Sequence, residues 1–103
     1  MIQLDLNNPE FQANLLSLGK QEVWAVLKTL RLLQAMTWHQ LQSSKGLRWE
    51  LIQSRQGPNG QRLYSLRVSR SCRAVAWRDG PWLRLLASSA SRTSAQWSTG
   101  ADR

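Results

Sequence analysis

A run of short, closely spaced strands in the second half of the chain constrains the fold most. The segment LYSLRVSRSCRAVAW alternates in polarity on both sides of the connection SRS, and the turn RDGPW leads into a second apolar run, LRLLAS. Alternating segments joined by tight turns predict neighbouring strands of one sheet. Between Arg55 and Arg92 there are eight arginines and one acid, Asp79, so the local charge is +7. This concentration predicts a polyanion-binding surface on the sheet.

Length and composition restrict the class of protein. A chain of 103 residues that is 42% hydrophobic predicts one domain with one core over residues 1–103, with residues 98–103 as a frayed tail. No apolar run approaches the roughly 20 residues of a membrane span, and the N-terminus lacks a signal-like segment, so we expect a cytoplasmic protein without a membrane partner. The single cysteine, Cys72, and the single histidine, His39, cannot supply a four-ligand zinc site. No metal and no cofactor are therefore expected.

Helix signals dominate the first third of the chain. Alternation predicts a short strand over residues 2–6, after which Asn8 is suited to cap a helix and Pro9 to occupy its first position. Gly19 is predicted to interrupt this helix, and Thr37 to cap a short turn. The apolar positions after the glycine follow helical spacing: Val23, Val26, Leu27, Leu30 and Leu33. This stripe predicts a second helix that packs against another element, and hence a helical hairpin.

The predicted fold is α+β, with two N-terminal helices packed on a small twisted antiparallel sheet in the order β-α-α-β-β-β. Strand patterns occur at 47–53, 62–68, 72–78 and 82–88. If SRS is a short connection, Arg67 lies opposite Arg73. Like charges directly opposite each other destabilise a sheet by a few tenths to about 1 kcal/mol, which suits a site that normally holds an anion. The alternatives are a register shifted by one residue, or arginines that extend into water.

Alternation divides the side chains of this strand pair between two faces. One face is predicted to carry Ser65, Arg67, Arg73, Val75 and Trp77. The other is the predicted core face: Tyr64, Leu66, Val68, Cys72, Ala74 and Ala76. A ring beside cations can stack an unpaired base, so Trp77 is a candidate RNA contact, with simple packing as the alternative. Trp24 and Trp38, in contrast, are predicted to lie in the core.

Further candidate RNA contacts lie outside this pair of strands. Trp97 follows Arg92 in a tail of small residues, where base contact and packing both remain open. Three more cations, in or beside the predicted strands, complete the candidate set: Lys45, Arg48 and Arg62. With one imidazole, no cysteine pair and no glycine-rich phosphate loop, the sequence lacks the parts of a catalytic triad, a zinc hydrolase or a nucleotide-dependent enzyme.

Several of these motifs together resemble the RelE/ParE superfamily, the toxins of type II toxin–antitoxin pairs. They are GLRWELI, GPNGQ, RLYSLRVSRSCRAVAWRDG and WLRLLAS, and the resemblance covers residues 45–97. It implies a twisted antiparallel sheet with two helices on one face and a basic concave surface on the other. In the ribonuclease branch, that surface enters the ribosomal A site and cuts mRNA without a metal. The ribose 2′-hydroxyl attacks the adjacent phosphate, and arginines stabilise the charge that develops.

The resemblance also implies roles for individual residues. Arg67 and Arg73 match the strand arginines of the family, and Arg92 lies near a basic residue that follows the last strand, so these three are the predicted catalytic residues. Trp97 stands where relatives commonly carry a tyrosine. Relatives usually place a histidine, lysine or tyrosine in this region for proton transfer, whereas tryptophan and arginine do not transfer protons near neutral pH.

This departure leaves several functions open. Lys45 and Glu50 are candidate replacements for the missing proton-transfer group, although Glu50 also fits a solvated strand position. The leading hypothesis is a ribosome-dependent mRNA endonuclease toxin that a separate acidic antitoxin neutralises. The alternatives are a non-catalytic RNA- or DNA-binding member of the fold and a ParE-like gyrase inhibitor.

Overall fold

The structure, a computed structural model, describes residues 1–90 and contains three helices and one sheet. The elements follow in this order: β1 (Gln3–Asp5), α1 (Pro9–Leu16), α2 (Lys20–Gln34), α3 (Trp38–Ser43), β2 (Glu50–Gln56), β3 (Arg62–Arg67), β4 (Cys72–Asp79) and β5 (Trp82–Ala90). The five strands lie side by side in the order β1-β5-β4-β3-β2. The predicted α+β class is therefore confirmed. The predicted order β-α-α-β-β-β omits α3 and one strand, although the sequence has strand patterns at all five strand positions: residues 2–6, 47–53, 62–68, 72–78 and 82–88.

The helix boundaries follow the local chemistry of the chain. The Asn8 side-chain oxygen accepts a hydrogen bond from the Glu10 N–H at 2.8 Å, and Pro9 opens α1. Gly19 precedes α2 in an extended conformation. The Thr37 hydroxyl accepts from the Gln40 N–H, and the Gln40 side chain accepts from the Thr37 N–H, which forms a capping box. The predicted caps are confirmed, and the turn after Thr37 is a complete short helix.

The sheet is mixed and not purely antiparallel. β2, β3, β4 and β5 pair in antiparallel order, as predicted, but β1 runs parallel to β5, with Leu4 opposite Leu83. The prediction of a wholly antiparallel sheet is wrong at this edge. Three helices and three strands separate β1 from β5 in the chain, so no tight turn forces them to run in opposite directions.

The pairing of β3 with β4 has the predicted register. Arg67 lies opposite Arg73, and Leu66 lies opposite Ala74. The Arg67 N–H donates to the Leu47 carbonyl at 2.7 Å, on the side away from β4. Arg67 and Arg73 are therefore a non-hydrogen-bonded pair, the arrangement that brings opposite side chains closest together. The alternative of a one-residue shift is wrong.

The core lies between the helices and one face of the sheet. Its buried members come from every layer: Ile2, Phe11, Val26, Leu30, Leu33, Leu41, Leu47, Leu66, Val68, Cys72, Ala74, Ala76, Leu83 and Leu85. The predicted stripe of α2 and the predicted core face of β3 and β4 both contribute to it. We call this side of the sheet the helix-covered face. The opposite side, which carries Ser65, Arg67, Arg73, Trp77 and Arg84, is the outer face.

The tryptophans of the helices have different environments. Trp38 packs against the core, as predicted. The ring of Trp49 lies between the rings of Trp38 and Tyr64, with centroid distances of 6.3 Å to Trp38 and 4.4 Å to Tyr64. Trp24, in contrast, is 63% exposed, so its predicted place in the core is wrong. Residues 24 and 26 lie about 200° apart around a helix, and Val26 faces the core.

Among residues 1–90, no helix combines the length and apolar character needed to cross a bilayer.

Candidate nucleic-acid interface

The candidate site lies on the outer face, where three antiparallel strands bring their polar side chains together. Glu50 of β2 pairs with Ser65 of β3, and Arg67 of β3 pairs with Arg73 of β4. Because side chains alternate along a strand, all four lie on the same face. Together with Arg48, which precedes β2, these residues are called the arginine site.

Arg73 spans the arginine site from one strand to the next. Its Nη2 donates to the Ser65 Oγ at 2.8 Å and lies 3.5 Å from the Glu50 Oε1. The same nitrogen donates weakly to the Arg48 carbonyl oxygen at 3.5 Å. Only 18% of the Arg73 side chain is exposed. Arg73 therefore links β4 to β3 and β2 and also holds the Glu50 carboxylate in place.

Arg67 has a different environment from the arginine opposite it. Its side chain is exposed, and within residues 1–90 its guanidinium has no hydrogen bond and no ion pair. Glu50 partly compensates the charge of Arg73, whereas the charge of Arg67 remains available to an incoming anion. The two arginines that the sequence predicts to hold an anion therefore differ: protein groups contact Arg73, whereas Arg67 is exposed to solvent.

Glu50 gives the arginine site a proton-accepting group. Its carboxylate is 56% exposed and lies between two guanidinium groups, with the Arg48 Nε at 3.9 Å and the Arg73 Nη2 at 3.5 Å. An exposed carboxylate can accept a proton from a bound hydroxyl, while the adjacent arginines can bind a phosphate. Of the two candidate replacements in the sequence, Glu50 lies in the site. Lys45 is exposed in the turn between α3 and β2.

A backbone feature places Arg48 at the edge of this site. Arg48 has a φ of 51°, in the left-handed region that residues with a side chain rarely adopt. The conformation turns the chain into β2 and brings the Arg48 carbonyl to Arg73. For a non-glycine residue, this backbone conformation is unfavourable by on the order of 1 kcal/mol, and such conformations often occur at functional sites. The sequence alone gave no signal for this conformation.

The connection between β3 and β4 is anchored to α2. The Glu22 carboxylate accepts hydrogen bonds from the Ser69 Oγ at 3.2 Å and from the Ser71 Oγ, and it contacts the Cys72 Sγ at 3.8 Å. The Ser69 Oγ also accepts from the Ser71 N–H. These bonds fix the short connection that brings Arg67 and Arg73 into register. The pattern of serines around Arg70 suggested a turn, but the sequence did not indicate its partner on α2.

A second cluster occupies the other end of the outer face. Arg84 of β5 lies 5.8 Å from the ring of Trp77 and 5.7 Å from that of Trp82, measured from its Cζ to each ring centroid. Its guanidinium forms ion pairs with Asp5 and, at 2.8 Å, with Asp79. Trp77 therefore lies on the predicted face, but the arginine beside it is Arg84. Four residues of strand, about 13 Å, separate Trp77 from Arg73.

The Asp5 carboxylate is stabilised in its charged form. A hydrogen bond from the Asn7 N–H, followed by the hydrogen bond from Arg84, holds the pKa of Asp5 below its usual value. The two carboxylates in turn raise the pKa of Arg84, because they stabilise its positive charge. The ion pairs of Arg84 with Asp5 and Asp79 join β1, β4 and β5. Of the two tryptophan rings beside Arg84, that of Trp82 is the more exposed.

The outer face is less basic than the sequence predicted. In the part of the chain that the structure describes, four arginines and three carboxylates lie at this face, a net charge of +1: Arg48, Arg67, Arg73 and Arg84, with Asp5, Glu50 and Asp79. The acids come from segments distant in sequence, so a count along the chain misses them. Four other arginines of the basic segment lie at hairpin ends or towards the helix-covered face: Arg55, Arg62, Arg70 and Arg78.

The structure does not bring every predicted contact to the arginine site. Arg62 is at the opposite end of β3 from Arg67 and, by alternation, on the other face, about 17 Å away along the strand. Arg92 and Trp97 lie outside the described residues. The predicted residues that the structure does bring together are Arg48, Arg67 and Arg73.

Comparisons with protein-family models, curated proteins and solved structures found no match.

Proposed function

We propose that the chain is a RelE-like toxin of a type II toxin–antitoxin pair that cleaves mRNA in the ribosomal A site without a metal. The observation that supports this proposal is the position of Glu50, an exposed carboxylate 3.5 Å from Arg73, beside Arg67, whose charge has no partner within residues 1–90. The site thus combines a proton acceptor with two phosphate-binding groups. These are the parts that cleavage by a neighbouring ribose hydroxyl requires.

In the proposed reaction, Glu50 accepts the proton of a ribose 2′-hydroxyl. The 2′-oxygen then forms a bond to the adjacent phosphorus as the bond to the 5′-oxygen of the next nucleotide breaks. Arg67 and Arg73 stabilise the additional negative charge on the phosphate oxygens in the transition state. The leaving 5′-oxygen takes a proton from water, and the hydroxide that remains takes the proton back from Glu50. The products are a 2′,3′-cyclic phosphate and a 5′-hydroxyl end. A separate acidic antitoxin would neutralise the toxin by covering Arg67.

The test is primer extension on a defined mRNA positioned in ribosomes. The wild-type chain is expected to produce new 3′ ends only when ribosomes are present. Arg67→Ala should lower the rate about 10²- to 10³-fold, as the loss of one charge-stabilising group does. Arg31→Ala is the matched control, because it removes the same charge from an exposed position on α2. Glu50→Gln should lower the rate about 10²- to 10⁴-fold, because an amide does not accept the proton.

The outcome at Arg67 decides the assignment. Equal cleavage by the wild-type chain and Arg67→Ala would reject these catalytic roles, and intact mRNA with the wild-type chain would reject the nuclease. Loss of DNA supercoiling with intact mRNA would instead support the gyrase-inhibiting branch.

The contacts of Arg73 favour a second candidate, a non-catalytic RNA-binding protein. The Arg73 guanidinium is already bound to Ser65 and Glu50, so it acts as a structural link and leaves Arg67 as the contact to phosphate. Such a protein would bind single-stranded RNA without forming a product. Its affinity would fall with salt at a slope of about −0.7 per phosphate contact. A slope near that of one contact, reduced to zero by Arg67→Ala, would support this candidate.

A further inference from the structure

The side of α2 that faces solvent carries a large aromatic side chain that nothing in the described structure covers. Trp24 is 63% exposed and Leu32 is 51% exposed. They are eight residues apart, which places them about 12 Å from each other along the helix axis. Single exposed apolar residues are common, but Trp24 and Leu32 lie on one i, i+4, i+8 row of the helix, about 80° apart around its axis, so one packed partner can contact both.

The charges around Trp24 have one sign. Lys20, Lys28 and Arg31 lie on the same side of α2, are exposed, and form no ion pair within residues 1–90. The one acid of the helix, Glu22, points to the β3–β4 connection and is bound there. The exposed side of α2, defined by these three cations with Trp24 and Leu32, therefore combines two apolar side chains with three positive charges that no described residue pairs with.

We propose that the exposed side of α2 is a docking surface for an acidic amphipathic helix of another protein. Apolar residues of that helix, spaced about two turns apart, would contact Trp24 and Leu32, while its carboxylates would pair with the three cations. This surface is separate from the arginine site, and the proposal does not depend on the nuclease. It predicts a contact that would remain even if the outer face had no catalytic activity.

The shape and composition of the surface favour a helix over other occupants. A helix surface is convex, and its ridges pack into the grooves of a second helix. Single-stranded RNA usually follows a basic groove with stacking rings, and Leu32 offers no ring. Insertion into a membrane interface needs a continuous apolar face, whereas here cations separate the two apolar side chains. An acidic helix satisfies both the apolar and the charged parts of the surface.

The test is selection of displayed helical peptides of random sequence against the full chain, followed by affinity measurement. Enriched peptides are expected to be acidic, with apolar residues at intervals of seven or eight. Fluorescence anisotropy of a labelled enriched peptide should give a dissociation constant at least about ten-fold higher for Trp24→Ala than for the wild-type chain. Truncation of a tryptophan buried at the centre of an interface usually weakens binding by that much or more. Trp82→Ala is the matched control, since it removes an exposed tryptophan from the outer face. Added salt should weaken the complex.

Three results would overturn the proposal. They are the absence of enriched peptides, enrichment of neutral or basic peptides, and equal affinity for the wild-type chain and Trp24→Ala. Vesicles of phosphatidylglycerol and single-stranded oligouridine serve as the rival probes. If either binds in a manner that Trp24→Ala abolishes, the surface belongs to lipid or nucleic acid and the acidic helix is rejected. Cleavage of mRNA by Trp24→Ala, measured in parallel, separates this outcome from a failure of the nuclease proposal.

Discussion

Arg67 of β3 and Arg73 of β4 lie opposite each other, yet their side chains have different environments. Arg73 is largely covered and contacts Ser65 and Glu50, so removing its side chain takes the donor from the Ser65 hydroxyl and, among the described residues, leaves Glu50 with Arg48 alone. Arg67 is exposed and unbonded within residues 1–90, so its removal changes mainly the local charge. A loss of activity in Arg73→Ala therefore does not separate chemistry from folding, whereas Arg67→Ala does.

This difference predicts a difference in stability. Arg73→Ala should lower the free energy of unfolding by about 1–3 kcal/mol, the usual cost of losing a hydrogen bond to a charged group. Arg67→Ala should change it by less than about 0.5 kcal/mol, as is usual for surface substitutions. Urea denaturation of both variants measures the two values. Equal stability of Arg73→Ala and the wild-type chain would show that the contacts to Ser65 and Glu50 do not contribute.

The charged network around Arg84 predicts a response to acid. The pKa of Asp5 is lower in the folded chain than in the unfolded chain, so the unfolded state binds the proton more readily. The stabilisation from Asp5 is thus fully present above the unfolded pKa, about 3.9, and is lost as the pH falls through the folded pKa. Asp5→Asn should remove this part of the acid sensitivity.

The measurement is the thermal midpoint as the pH is lowered from about 6 to about 2. The wild-type chain should lose more stability over this interval than Asp5→Asn does. Glu10→Gln is the control, because Glu10 forms no ion pair in the described part of the chain. Identical acid profiles for Asp5→Asn and the wild-type chain would contradict the role of this carboxylate.

At the scale of elements, one helix residue anchors the β3–β4 hairpin to the helix layer. Glu22 of α2 binds Ser69 and Ser71, the two serines on either side of Arg70. The register of Arg67 with Arg73 comes from the short connection, and Glu22 holds that connection against the helix layer. The residues that form the turn thus lie within the hairpin, whereas the carboxylate that anchors the turn lies on α2.

Removing this anchor should loosen the hairpin. We expect Glu22→Ala to lower the free energy of unfolding by about 1–2 kcal/mol, because two hydroxyl groups lose a charged acceptor. Alanine is a good helix former, so the effect does not come from helix propensity. Amide hydrogen exchange should increase at the β3–β4 connection but not at α3. The neighbouring variant Gln21→Ala controls for changes in α2, and equal exchange in both variants would contradict the anchor.

At the scale of the whole molecule, the helices and the sheet share one core on the helix-covered face. α2 has its apolar stripe on this side, with Val26 and Leu33 at most 1% exposed. The same helix has Trp24 and Leu32 on its other side. Whether an apolar side chain of α2 is buried therefore depends on its direction around the helix axis, because apolar residues lie on both sides of the helix.

Two adjacent leucines of α2 test this arrangement. Leu33→Ala should lower the free energy of unfolding by about 2–5 kcal/mol, because it leaves a cavity between α2 and the sheet. Leu32→Ala should change it by less than about 0.5 kcal/mol, since half of that side chain is already in water. Chemical denaturation of the two variants provides the comparison. Similar losses for both leucines would mean that the orientation of α2 is incorrect.

The local features of the fold were readable from the sequence because they arise between neighbours in the chain. Asn8 and Thr37 cap the helices that follow them, and the connection at residues 69–71 fixes Arg67 opposite Arg73. Each of these depends on backbone geometry within a few residues. The α+β class and the core face of β3 and β4 follow from the same periodicities.

Only the tertiary structure decided which distant residues meet. The parallel pairing of β1 with β5 brings Asp5 to Arg84, and the pairing of β2 with β3 brings Glu50 to Arg73. These contacts neutralise much of the charge that the sequence concentrates in its second half. In the part of the chain that the structure describes, the predicted basic face becomes a site in which Arg67 has no partner. The physical reason is that charge along a chain is fixed by sequence, whereas charge on a surface depends on the partners that folding supplies.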